Sequence, residues 1–93
     1  MIIGTGKVYL HIGWSRSLKE KRMVVKSIID KVKNKFNVSV AEIGNQDSYK
    51  SAVIGIACIS NNTSYSNKCI QSVINYIEEN TDAVIEKIEI QML

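Results

Sequence analysis

The sequence predicts an α+β fold whose elements run strand, helix, strand, strand, helix, strand. Three observations carry this. Apolar residues alternate with a period of two near both ends of the chain, two segments place apolar residues at helical spacing, and an unbroken run of small and branched apolar residues fills 52–60 between them.

Across 2–13, Ile2, Val8, Leu10 and Ile12 fall on one face and Ile3, Lys7, Tyr9 and His11 on the other, as in a half-buried strand. Gly4 and Gly6 lower its local propensity and mark a bulge or a close crossing. After the connector Gly13-Trp14-Ser15-Arg16, Ser17 precedes Glu20 by three, the capping-box pattern, and the spacing predicts a helix over 18–35. Leu18, Val25, Ile29, Val32 and Phe36 share one face of it, with Val24 and Ile28 beside them. Lys31, Lys33 and Lys35 lie near its C-terminal end, where the helix dipole favours cations. Asn37 is the expected stop, in the left-handed conformation that Asn tolerates.

A second strand follows over 38–43, then the polar turn Gly44-Asn45-Gln46-Asp47-Ser48. The run 52–60 reads as a central strand covered on at least one face. Asn61-Asn62-Thr63-Ser64 starts a second helix, predicted over 65–79, with Cys69, Ile70, Val73, Ile74 and Ile77 as its apolar stripe. The last strand, 84–92, turns Ile88, Ile90 and Met92 toward the core and Lys87, Glu89 and Gln91 outward. This order is the split βαβ, ferredoxin-like pattern: a four-stranded antiparallel sheet with two helices on one face, expected as a single domain over 1–93.

Bulk composition narrows the function classes. Of 93 residues, 45% are hydrophobic and 23% charged, which is ordinary for a globular protein. No apolar run is long enough to span a membrane, and Met1–Lys7 lacks the pattern of a signal peptide, so a cytoplasmic location without membrane association is expected. Cys58 and Cys69 form no C-x-x-C pair and read as small buried apolar residues. His11 is the single histidine, which argues against a zinc site. It is expected on the open face of the sheet, within reach of Glu89 or Gln91. Gly4-Thr5-Gly6-Lys7 lacks the spacing of a phosphate loop. No nucleophile has an identifiable base, so the expectation is a protein that is not an enzyme and holds no cofactor or metal.

Charge is the most informative feature. Residues 16–35 carry eight cations (Arg16, Lys19, Lys21, Arg22, Lys26, Lys31, Lys33, Lys35) against Glu20 and Asp30, a local net of +6 in a chain of net +3. Such asymmetry points to an acidic partner, RNA or the ribosome foremost. At about 100° per residue, Lys19, Arg22, Lys26 and Lys33 line one flank of the apolar stripe, and Lys21, Lys31 and Lys35 the other. The first flank, with Arg16 before it, can meet one phosphate backbone. Trp14 is a candidate for base stacking, or else folds over the helix end. The plainer reading of the lysines is a solvated face. The sheet's open face offers Tyr9 but no aromatic partner on 52–60, which disfavours base stacking there. Ile3, Val53, Ile59 and Ile85 would leave that face partly apolar, and a homodimer through the sheet is the alternative reading.

Leu10-His11, Ser17-Leu18-Lys19-Glu20-Lys21-Arg22, Phe36-Asn37-Val38-Ser39-Val40-Ala41-Glu42, Gln46-Asp47, Gly55-Ile56-Ala57 and Ile59-Ser60-Asn61 together resemble the YlxP-like family of small bacterial proteins, a domain of unknown function. The resemblance spans nearly the whole chain. Family members often carry a proline in the connector where Gly13-Trp14 stands here. The resemblance implies a ferredoxin-like architecture and, from family genes that lie among those for translation and transcription factors, a role near the ribosome. It brings no enzymatic activity.

Overall fold

The computed structural model describes residues 1–93 as β1 (Ile2–His11), α1 (Leu18–Lys35), β2 (Ser39–Gly44), β3 (Ser51–Ser60), α2 (Thr63–Glu79) and β4 (Val84–Met92). The strands form one sheet in the order β2-β3-β1-β4, every neighbouring pair antiparallel. Both helices cover the same face, giving the ferredoxin-like α+β fold. Val8, Leu10 and Ile12 from β1 and its connector, Ile54, Ile56 and Cys58 from β3, Val25, Ile28 and Val32 from α1, and Ile70, Val73, Ile74 and Ile77 from α2 make one continuous core.

The glycines of β1 mark a close crossing. A Cβ on Gly6 would stand 2.9 Å from Ile70 Cγ2, and one on Gly4 3.1 Å from Ser66 Cβ, so α2 lies almost on the backbone of β1. The bulge lies elsewhere. Between β1 and β4 the register shifts after Tyr9, so that Tyr9 opposes Lys87 and Leu10 opposes Ile85, with Glu86 as the extra residue. This shift turns Ile85 to the helix side, where it packs against the core, and overturns its expected place on the open face. Val84 takes the open-face position, opposite His11. His11 is therefore remote from Glu89, and the bond to that carboxylate comes from the Tyr9 hydroxyl, at 3.0 Å.

Ser17 caps α1 by accepting the Glu20 N–H at 3.1 Å. The reciprocal half is displaced by one residue: Glu20 Oε2 accepts from the N–H of Arg16, at 3.1 Å, and not from Ser17. At the far end Phe36 is extended, with φ −124°, and Asn37 is not left-handed. The helix ends because Phe36 swings down to meet Tyr76 of α2 edge-on, ring centroids 5.5 Å apart. The one non-glycine residue with positive φ is Asn45, at 58°, in the turn between β2 and β3. Asn62 caps α2 by accepting the Tyr65 N–H at 2.9 Å, which starts that helix at Thr63, two residues before the expected boundary. No helix is long and apolar enough to cross a membrane.

Candidate nucleic-acid interface

The basic helix is amphipathic about a stripe different from the expected one. Its buried residues are Lys21, Val25, Ile28 and Val32, while Leu18, Val24 and Ile29 lie at the margins. Lys21 thus occupies a core position. It is 0% exposed, and its Nζ donates to Glu42 Oε2 at 2.6 Å and to the carbonyls of Asn45 and Gln46 at 3.1 and 3.3 Å. Three acceptors around one ammonium make its burial tolerable. Lys21 therefore leaves the solvent-facing set, which corrects its expected place on the second flank. Lys35 on that flank lies over the Tyr76 ring at 4.9 Å. Lys31 borders the groove between the helices with Tyr76 and Ile77.

The first flank forms as expected. Lys19, Arg22, Lys26 and Lys33 are all exposed. They follow one another along about 21 Å of helix at 1.5 Å per residue. Lys19, Arg22 and Lys33 have no carboxylate within ion-pair distance, whereas Lys26 Nζ lies 2.7 Å from Asp30 Oδ2 one turn on. That exposed i,i+4 pair is weak and opens easily to a competing anion. Arg16 precedes the cap and is exposed, so five cations border the outer side of α1.

Trp14 does not join them. It borders a groove of about 290 Å³ with Met23, Val24, Ser27, Ile28, Asn80, Thr81 and Asp82, on the side of α1 that faces α2. Arg22 and Lys33 lie on the other side of the helix. Trp14 is 48% exposed and lines this groove beside the second and third turns of α1.

The open face divides into two halves. On β1 and β4, Lys7 is opposite Glu89 and Tyr9 opposite Lys87. Lys87 Nζ lies 3.1 Å from Glu89 Oε1. The hydrogen bond from Lys87, then that from Tyr9, holds the Glu89 carboxyl below its ordinary range, and the bond to Glu89 raises Lys87. Across β2, β3 and the near end of β1, Ala41, Gly55, Ala57 and Thr5 floor a shallow trough of about 400 Å³ bordered by Ile43 and Lys7. Ile59, beyond its end, is 69% exposed. The Cys69 thiol is pushed upward by burial and by the neighbouring Cys58, which makes it a poorer source of thiolate.

Sequence reasoning missed the Lys21–Glu42 pair, although its signal was present. Lys21 falls at the spacing of Val25, Ile28 and Val32, and Glu42 alternates with Val40 on the core side of β2.

Comparison with known proteins agrees with these motif blocks. A family described as "Protein of unknown function (DUF503)" matches residues 3–90. The uncharacterized protein YlxP of Bacillus subtilis (strain 168) is 47% identical over 62 residues, 67% of either chain. Among solved structures, the de novo designed protein Foldit4 is similar with a TM-score of 0.53 over 99% of this chain and 94% of that one, at 13% identity, a likeness of fold alone.

Proposed function

The chain belongs to the DUF503 family of proteins of unknown function, and from that premise we propose that it is a non-enzymatic accessory protein that docks on RNA, in the ribosome or free, through the outer flank of α1. The observation that supports this reading is the alignment of Lys19, Arg22, Lys26 and Lys33 on one exposed helix flank, three of them without a carboxylate partner. Three of the four are lysines, flexible point charges that suit a phosphate backbone better than base edges. Recognition is electrostatic docking with shape fit, and no bond is made or broken. Arg16 extends the contact at the helix start, and Trp14 lies outside it.

Changing Lys19, Arg22, Lys26 and Lys33 to Glu abolishes co-sedimentation with RNA or ribosomes while the circular-dichroism spectrum stays that of the native fold. With about four phosphates neutralised, the logarithm of affinity for a single strand falls with the logarithm of salt at a slope near −3. Asp30→Asn frees Lys26 and tightens binding. Unchanged co-sedimentation of the fourfold variant sinks the reading.

Self-association through the open face is the second reading, favoured by the apolar trough and Ile59. Lys7 borders the trough on the β1 side, so the apolar contact centres on β2 and β3. Ile59→Lys breaks a dimer of that kind and leaves any other untouched.

A further inference from the structure

We propose that β4 is the seam of a symmetric dimer, in which a second copy of this chain pairs antiparallel with it about a two-fold axis at Ile88. The inference concerns the sheet edge and is independent of the RNA reading. It rests on hydrogen-bonding parity, the edge position of β4 and charge order.

β4 is an edge of the sheet and runs for nine residues. Ile3 and Leu93 exchange both backbone hydrogen bonds, at 3.0 and 2.8 Å. In an antiparallel ladder such pairs alternate with pairs that exchange none. With Thr5 opposite Gln91 and Lys7 opposite Glu89, the peptide groups of Glu89, Gln91 and Leu93 point to β1. Those of Ile88, Ile90 and Met92 therefore point away from the sheet, and unpaired edge groups of this kind are a template for another strand. The opposite edge, β2, is six residues long and its pairing is broken at Ile43.

Ile88 is the midpoint of Val84–Met92, and a two-fold axis there sets Glu86–Ile90 against the same five residues of the second copy. Its outward N–H and C=O then bond to Ile88 of the second copy. Lys87 faces Glu89 of the second copy and Glu89 faces its Lys87, joining both Lys87–Glu89 pairs into one ring of four alternating charges. Glu86 faces Ile90 of the second copy, and the bulge there ends the regular ladder, because Val84 lies on the open face and Met92 on the helix side. No other centre does as well. An axis at Lys87 or at Glu89 opposes like charges directly, which is destabilising. One at Ile90 leaves Lys87 opposite Leu93 and Glu89 opposite Gln91, which forgoes the ring of charges.

Ile88 supplies a second indication. Its side chain shares the helix-covered face with Val8 and is 43% exposed, although α2 packs against β4. In the dimer the two Ile88 side chains cover each other. The result is a continuous eight-stranded sheet with all helices on one side. Because α1 packs over β2, at the far end of the sheet, its cations stay accessible in both copies.

The test is sedimentation of the intact chain from low to high micromolar concentration, with reversible dimerisation expected. Lys87→Glu or Glu89→Lys alone makes the facing charges alike and weakens association on the order of tenfold. An equimolar mixture of the two variants restores a mixed dimer, because an acidic strand then faces a basic one. Ile88→Pro removes the outward N–H without touching the bonds to β1, and abolishes the dimer with circular dichroism unchanged. This variant carries the same test should Glu89→Lys, which loses the bond from Tyr9, fail to fold. A chain monomeric at the highest concentration overturns the proposal. So does a dimer that is indifferent to Lys87→Glu and Ile88→Pro but lost on Ile59→Lys.

Discussion

Lys21 Nζ stands 2.6 Å from Glu42 Oε2, and this buried ion pair joins the first helix to the edge strand β2. The two residues come from the Ser17–Arg22 and Phe36–Glu42 blocks, the strongest motifs in the chain. Those motifs therefore meet in space. Lys21 also holds the carbonyls of Asn45 and Gln46, so the same ammonium fixes the β2–β3 turn beneath the N-terminal half of α1.

Removing one partner strands the other. Lys21→Met leaves Glu42, itself only 17% exposed at the side chain, beside two unpaired carbonyls, and lowers unfolding free energy by roughly 3 kcal/mol. Lys21→Met with Glu42→Leu loses less than the sum of the single changes, with a coupling on the order of 2 kcal/mol. Urea titration of the four proteins checks this. Additive losses would show that Lys21 acts through its turn carbonyls alone.

Two glycines give a matched comparison of packing. A Cβ on Gly6 would meet Ile70 Cγ2 and one on Gly55 would meet Ile43 Cδ1, each at 2.9 Å. Ile70 is fully buried between α2 and the sheet, while Ile43 is half exposed and free to swing away. Gly6→Ala therefore destabilises by about 1–3 kcal/mol and Gly55→Ala by less than 1 kcal/mol. Ile70→Val added to Gly6→Ala recovers part of the loss. Thermal unfolding of the three variants is the measurement, and equal losses at the two glycines would contradict it.

The element order was legible because each segment is locally consistent: period two in β1 and β4, a capped stripe in α1, an unbroken apolar run in β3. What escaped was set by pairing between distant segments. The bulge at Glu86 depends on how β1 meets β4, so the facing of Ile85 and Val84 could not be read from alternation alone. The stop of α1 depends on Phe36 reaching Tyr76, forty residues on. The burial of Lys21 needed Glu42 and two turn carbonyls, none near it in sequence. Within the candidate site, Arg22 and Lys33 followed from helical spacing. The seat of Trp14 was fixed by α2 and its following loop.

Asn45 carries the turn that Lys21 grips. At φ 58° it occupies the left-handed region, which Gly adopts freely and β-branched residues resist. Asn45→Gly changes stability by a few tenths of a kcal/mol, and Asn45→Val lowers it by about 1–2 kcal/mol. If Lys21 relies on this turn, Asn45→Val also speeds amide exchange at Gln46 and Asp47 above the change seen in α2. Protection lost evenly over the chain would instead mean simple global destabilisation.

The Tyr9–Glu89–Lys87 cluster sets a pH dependence with a definite sign. Glu89 is held below its ordinary value, first by the bond from Lys87 and then by that from Tyr9. Its stabilisation is complete above the unfolded carboxyl value near ~4.3 and is lost as pH falls through the lower folded value. Lys87 is raised by the bond to Glu89, so its share is complete below the unfolded lysine value near ~10.4 and is lost as pH rises through the higher folded one. Both groups are exposed, and the effect on stability is small. The titration itself is the sharper readout. Carboxyl carbon NMR shows Glu89 moving toward its ordinary value in Lys87→Gln, and by a smaller step in Tyr9→Phe, because the phenol supplies the lesser of the two bonds. A larger step in Tyr9→Phe would reverse that order and make the hydroxyl, 3.0 Å from Glu89 Oε1, the principal support of the carboxylate.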